Sequence, residues 1–162
     1  LQDNFCVIHE LIPHTSNGSF KRYWGYVVIS DRFARTLHHS AAHFQSDGDV
    51  CNEAAALFER TAARSLVIAG ASRFAVIGNE TNKCQKKTSL ADAAHNNETM
   101  FQTFNEAIYE VVTNNKSKSN STFIQWHGMA ETSCSKVKVF VSVGANNASN
   151  VYRDGNLTAN RV

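Results

Sequence analysis

The 162 residues carry 16 Lys and Arg against 14 Asp and Glu, a formal net charge of +2, and 43% of them are hydrophobic. That length suits one domain with one core, and charges scattered without basic blocks argue against a nucleic-acid or membrane-surface binder. No apolar run approaches the ~20 residues that cross a bilayer, so no membrane span is expected.

The chain opens at Leu1 rather than Met. It reads as a single domain over 1–162, processed from a longer precursor. Asn-x-Ser/Thr sequons stand at Asn17, Asn79, Asn97, Asn115, Asn120, Asn147 and Asn156. That is more than chance pairing of this composition gives, and it points to N-linked glycans on a secreted eukaryotic protein. Cys6, Cys51, Cys84 and Cys134 form no C-x-x-C pair. An even set in an oxidising compartment reads as two disulfides of open connectivity rather than a structural zinc or thioredoxin-like site.

In chain order, "KRYWGYVVIS" (21–30) has strand composition, and "FARTLHHSA" extends as a second strand piece. Asp49 reads as the N-cap of a helix over 51–63, whose alanines with Leu57 and Phe58 supply an apolar face. "RSLVIAG" (64–70) has the unbroken apolar run of a buried parallel strand, and a long loop through Cys84 follows. In "NETMFQTFNEAIYEVVTNN", Phe101, Phe104, Ile108 and Val111 recur at helical spacing, widened by Met100, Ala107 and Val112. "TFIQWHG" (122–128) and "SKVKVFVSVG" (135–144) read as two further strands, and the tail beyond has no period. Strand, helix, strand, helix, strand, strand predicts an α/β three-layer sandwich with a largely parallel central sheet.

Open α/β sheets hold their ligands beyond the carboxyl ends of the strands. Polar residues collect at those ends here: "HHSAAHFQSDGDV" (38–50), Ser72 and Arg73, then His127, Gly128 and Glu131. A catalytic zinc needs imidazole and carboxylate donors from separate elements with one position left open. His43, Asp47 and His127 supply that set. Asp49 is the weaker carboxylate because it caps a helix. His38 and His39 point to opposite faces of a strand, so one faces the crevice, assigned to His38, and the other is exposed. Arg73 suits an anionic substrate group. His95, in "DAAHNN", reads as a further ligand or proton carrier, with capping and loop packing as the equal alternative for Asp92 and His95. His9, Glu10 and His14 are one residue too widely spaced for the helical two-histidine zinc signature and read as incidental.

No G-x-S-x-G elbow, Walker loop or G-x-G-x-x-G run occurs, which counts against serine hydrolases, nucleotide hydrolases and dinucleotide enzymes. Metal-assisted hydrolysis fits the inventory best, with Glu131 or Asp49 as general base.

The stretch "HHSAAHFQSDGDVCNEAAALFERTAARSLVIAGASRFA", with "CQ", "DAAHN" and "FIQWHG" after it, resembles a group of secreted fungal proteins over roughly residues 38 to 134. Members of that group have prolines on both sides of the histidine where this chain has "SAAHF". More distantly, an early histidine with a carboxylate and a later His-Gly resemble the zinc-dependent poly-γ-glutamate hydrolase and carboxypeptidase-like fold. That resemblance implies zinc on His43, a following acidic residue and His127, with an arginine for a substrate carboxylate. The acidic residue departs from the compact spacing of those enzymes, and their later catalytic glutamate has no clear match.

The sequence therefore predicts a secreted metal-dependent hydrolase of an amide or similar bond in a small or peptide-like anionic substrate. A non-catalytic glycoprotein on a hydrolase-like scaffold and a metal-assisted phosphoesterase are the alternatives.

Overall fold

Short runs rich in β-branched and aromatic residues pair into one sheet in the computed structural model, which describes residues 4–11, 20–76, 90–114, 120–133 and 135–142. The elements are β1 (Phe5–His9), β2 (Tyr26–Ser30), β3 (Arg35–Ala41), α1 (Val50–Arg60), β4 (Ala63–Ile68), α2 (Met100–Asn114) and β5 (Thr122–Trp126). Their order across the sheet is β1-β2-β4-β3-β5. β1 pairs with β2, and β2 with β4, antiparallel; β4 pairs with β3, and β3 with β5, parallel.

A largely parallel three-layer sandwich is thus not what forms. The sheet is mixed because β4 inserts between β2 and β3, which are joined by only four residues. At about 4.8 Å per strand spacing, such a connection spans two strand widths, and the N–H groups of Ala34 and Arg35 both bond the Ala62 carbonyl on the way past. β1, which sequence patterning did not pick out, is an edge strand exposed along its whole length, so it lacks the buried alternation that marks a strand.

Side chains alternate across β4. Leu66 joins a cluster with Ala41, Val50, Ala54, Phe58 and Ala63, and Val67 joins another with Val27, Ala42, Ala69, Ala93 and Phe101. The two helices therefore cover opposite faces. α1 buries Val50, Ala54 and Phe58, four residues apart, and stops at Arg60, three residues short of its expected end. In α2 the buried line runs through Phe101, Phe104, Ile108 and Val112, while Val111 is 59% exposed. Thr99 starts this helix by accepting the Gln102 N–H on its hydroxyl and the Thr103 N–H on its carbonyl.

His38 and His39 are both buried, one on each face, so neither is the exposed partner expected. His38 stacks on Phe123 with ring centres 4.5 Å apart, and its Nδ1 lies 2.7 Å from the Ser65 hydroxyl. His39 accepts the Trp126 indole N–H on Nδ1 at 2.9 Å, and its Nε2 lies 3.2 Å from the Thr61 hydroxyl, which donates to the Leu57 carbonyl. That chain of bonds ties β5 to β3 and to the end of α1. Glu10 is also structural. Its buried carboxylate accepts the N–H groups of Lys21, Arg22 and Trp24, closing the loop between β1 and β2. Where Gly25 and Gly70 meet, a Cβ on Gly70 would stand 2.3 Å from the Gly25 nitrogen, so only glycine fits.

Leu1–Gly128 and Met129–Val162 are separate compact units, and every strand and helix named belongs to the first. The strand expected at 135–144 does not form over 135–142, where Val137, Val139, Phe140 and Val141 are exposed. Among the described residues no helix is long and apolar enough to cross a membrane. Cys6 and Cys51 are free thiols, and Cys84 and Cys134 lie outside the described residues, so neither expected disulfide is seen among the residues described. Of the sequons, Asn97 and Asn120 are exposed, and Asn17, Asn79, Asn115, Asn147 and Asn156 lie outside the described residues.

Burial pushes the His38 imidazole down to about 4, helped by the nearby charges of Arg64 and His39. The unfolded chain binds that proton at ~6.5, so stability from the neutral ring is complete above ~6.5 and is lost as pH falls towards 4. Denaturant unfolding between pH 7 and 4 should show this loss, of about 2–3 kcal/mol, reduced in His38→Phe, which keeps the stack and removes the titration. An unchanged pH slope in that variant would contradict the assignment.

Candidate functional site

Ala41 is in register with Ile68 on one side and Trp126 on the other, so β3, β4 and β5 end level and in the same direction. The residues that follow bring His43, Arg73 and His127 to one edge, where the strand-end rule placed them. Asp47 returns to His43 through a tight loop in which Gln45 and Gly48 both take left-handed backbone conformations, φ 65° and 69°. Such a conformation in a non-glycine residue is a strain often found at functional sites. The fourth contributor is the turn before α2. There the Asp92 carbonyl accepts the N–H groups of His95 and Asn96, and the Asn96 side chain bonds the Leu90 carbonyl and the Glu98 N–H.

Five of the sequence candidates therefore meet: His43, Asp47, Arg73, His95 and His127 line an open cavity of ≈ 400 Å³ with Ala94, Gln125 and Gly128. His38 does not, being packed inside the sheet. Asp49 precedes α1, and its carboxylate takes the Asn52 amide rather than lining the cavity. Glu131 belongs to the second unit. Asp92 is the residue that sequence reading left out of the site. It is 1% exposed and sits at the centre of the polar network. Its Asp-x-x-His spacing to His95 was visible, but the same spacing marks an ordinary turn.

Hydrogen bonds tie the site together around Asp92. Asp92 Oδ1 lies 3.0 Å from His43 Nε2, and Asp92 Oδ2 accepts from Arg73 at 2.5 Å. Burial works to raise the Asp92 carboxyl, but the hydrogen bond from His43 and the closeness of His95 and Arg73 outweigh it and hold it below the usual range. An ionised Asp92 can only accept, so His43 donates to it through Nε2, while Nδ1 has the Asp47 carboxylate at 3.0 Å on one side and an Arg73 terminal nitrogen at 3.4 Å on the other. His127 Nε2 donates to the Gln125 amide oxygen at 2.7 Å, and its Nδ1 is turned toward Asp47. Burial and the proximity of His43 lower the His127 imidazole despite Asp47. His95 Nδ1 lies 3.0 Å from Asp92 Oδ1 without hydrogen-bond alignment.

Three side-chain atoms of ligating type then face one another. Asp47 Oδ2 is 3.0 Å from His43 Nδ1 and 3.3 Å from His127 Nδ1, and the two nitrogens are 3.3 Å apart. Burial tends to raise the Asp47 carboxyl, but the Gly128 N–H bond and the two histidines hold it below its ordinary value. The Gly128 N–H, at 2.9 Å, is a donor to Asp47 Oδ2 from outside this trio. Two imidazole nitrogens and a carboxylate oxygen in mutual contact could hold a divalent cation in place of the protons they share. A second set, His43, Asp92 and His95, shares His43 and is also within metal-holding reach.

A Cβ on Gly128 would stand 2.6 Å from the Asp47 carbonyl oxygen and 2.9 Å from the Asp47 Cβ. Gly128→Ala should therefore displace Asp47 and weaken divalent-cation binding by about 10–100-fold in calorimetric titration, with far-ultraviolet circular dichroism unchanged. Unaltered affinity would remove Asp47 from the ligand set.

Comparison of the chain with protein-family models, with curated proteins and with solved structures gives no match.

Proposed function

We propose that this chain is a secreted zinc-dependent hydrolase that cleaves an amide or similar bond beside an anionic group of its substrate. The observation that carries this reading is the convergence of His43 Nδ1, His127 Nδ1 and Asp47 Oδ2 at 3.0–3.3 Å from one another. Tetrahedral zinc with ligands at ~2.0–2.1 Å has ligand-to-ligand edges of about 3.3–3.4 Å, so the trio matches one face of that polyhedron. Zinc bound there supplies Lewis-acid polarisation of the scissile group and a lowered pKa for water.

The chain's own residues do the rest. Asp92 fixes the ring of His43 through Nε2, Gln125 fixes that of His127 through Nε2, and the Gly128 N–H fixes Asp47, so each donor is oriented by a partner behind it. Arg73 spends one N–H edge on Asp92 and lines the cavity, where its remaining N–H groups take the anionic substrate group. His95, 34% exposed at the cavity wall and backed by Asp92 Oδ1, moves a proton to the leaving group. The cavity, at ≈ 400 Å³, admits a small or peptide-like substrate.

The test is a panel of amides and phosphoesters, each with and without a neighbouring carboxylate, assayed after chelation and after zinc is restored. Expected is zinc-restored cleavage of the carboxylate-bearing amides, falling at least about 100-fold in His127→Ala. Cleavage confined to phosphoesters would replace the reading with a phosphoesterase. A zinc-loaded protein inert on the whole panel would replace it with a non-catalytic glycoprotein.

A further inference from the structure

The sheet ends on two edge strands, β1 and β5, and only β5 reaches the cavity. β5 pairs with β3 on one side, and among the described residues no strand pairs with its other side. The Ile124 carbonyl is turned toward β3, where it accepts the Ser40 hydroxyl at 3.4 Å. Successive residues of a strand turn their N–H and C=O groups to opposite sides, so those of Phe123 and Gln125 point out from the sheet. Thr122, Phe123 and Gln125 are exposed. The strand, TFIQW, has no charge and no proline, and so none of the residues that commonly keep an open edge from pairing.

What this edge leads to identifies its occupant. Gln125 lines the cavity and holds the His127 ring at 2.7 Å, and His127 follows the last residue of the strand. A chain laid along β5 therefore runs into the cavity, which Arg73 also lines. Phe123 and Gln125, in register with His38 and Ser40, lie on one face of the sheet and about 6.6 Å apart along it. Phe123 is 40% exposed, and the Tyr109 ring of α2, 56% exposed, stands 5.8 Å from it. The two rings make an open apolar step beside the strand, two residues before the cavity.

Resting on the hydrolase reading above, we propose that the substrate is an extended peptide that adds a strand to the free edge of β5. An apolar side chain of that peptide lies over Phe123 and Tyr109, and two residues nearer the cavity an acidic side chain meets Arg73. Main-chain hydrogen bonds to Phe123 and Gln125 supply affinity, and the alternate side chains supply selectivity.

Binding and turnover test this separately. Two blocked peptides, with Phe-x-Glu and Glu-x-Phe cores, cover both strand directions and are titrated into the full chain after chelation, so that neither is cleaved. One of them should slow amide hydrogen exchange at Phe123 and Gln125 at least about tenfold and leave β1, the other edge, unchanged. N-methylation of alternate amides of that peptide should weaken binding about five- to tenfold, and of the intervening amides hardly at all. With zinc restored, kcat/KM should rise at least about tenfold from a blocked glutamyl amide to the peptide, and Tyr109→Ala should reduce the gain. A small amide cleaved as well as the peptide, or a bound peptide that leaves Phe123 and Gln125 unprotected, would overturn the pairing and leave the hydrolase standing. So would protection of both amides before any peptide is added, since the edge would then be taken already. A peptide that protects β5 but is not cleaved by the zinc-loaded chain would uphold the pairing and sink the hydrolase.

Discussion

His43 stands between two carboxylates, with Asp92 3.0 Å from its Nε2 and Asp47 3.0 Å from its Nδ1, and the rest of the site is arranged about that ring. Asp92 is buried and held ionised by Arg73 and the histidines around it, so it can only accept, and it fixes the ring through the Nε2 N–H. Held in that way, the ring presents Nδ1 to Asp47 and His127.

The fold supplies the conditions for this arrangement. Parallel pairing of β4, β3 and β5 in level register puts the exits of three strands side by side. The Trp126–His39–Thr61 chain anchors β5 immediately before His127, so the imidazole that depends on it starts from a fixed point. Glycine at 128 lets the Asp47 backbone approach closely enough to accept the neighbouring N–H. The antiparallel strands β1 and β2 contribute no cavity residue. β2 flanks β4 and gives Val27 to one core cluster, and Glu10, just past β1, closes the loop between them.

Much of the site was legible because the rule that finds it is local. A histidine or arginine just after an apolar strand lies at the sheet's edge whichever strands neighbour it, which is why His43, Arg73 and His127 could be placed together. Strand direction was not legible in the same way. Periodicity identifies β2 and β4 but carries no sign for their pairing, and the insertion of β4 between two strands joined by four residues is settled only by tertiary contact. β1 was missed because an exposed edge strand has no buried face to pattern. Over 135–142 the expected strand did not form for the opposite reason, since alternation alone does not make a sheet. Asp92 reads as a turn residue because, locally, it is one. Its second role depends on His43 and Arg73, which arrive from 49 and 19 residues away.

The claim on which the rest depends is that His43, Asp47 and His127 together hold a cation. Elemental mass spectrometry of the untagged chain, with His43→Ala beside it, tests that most directly. The account predicts about one equivalent of zinc in the native protein and none in the variant. A native protein that is metal-free and takes up no zinc when it is supplied would contradict it.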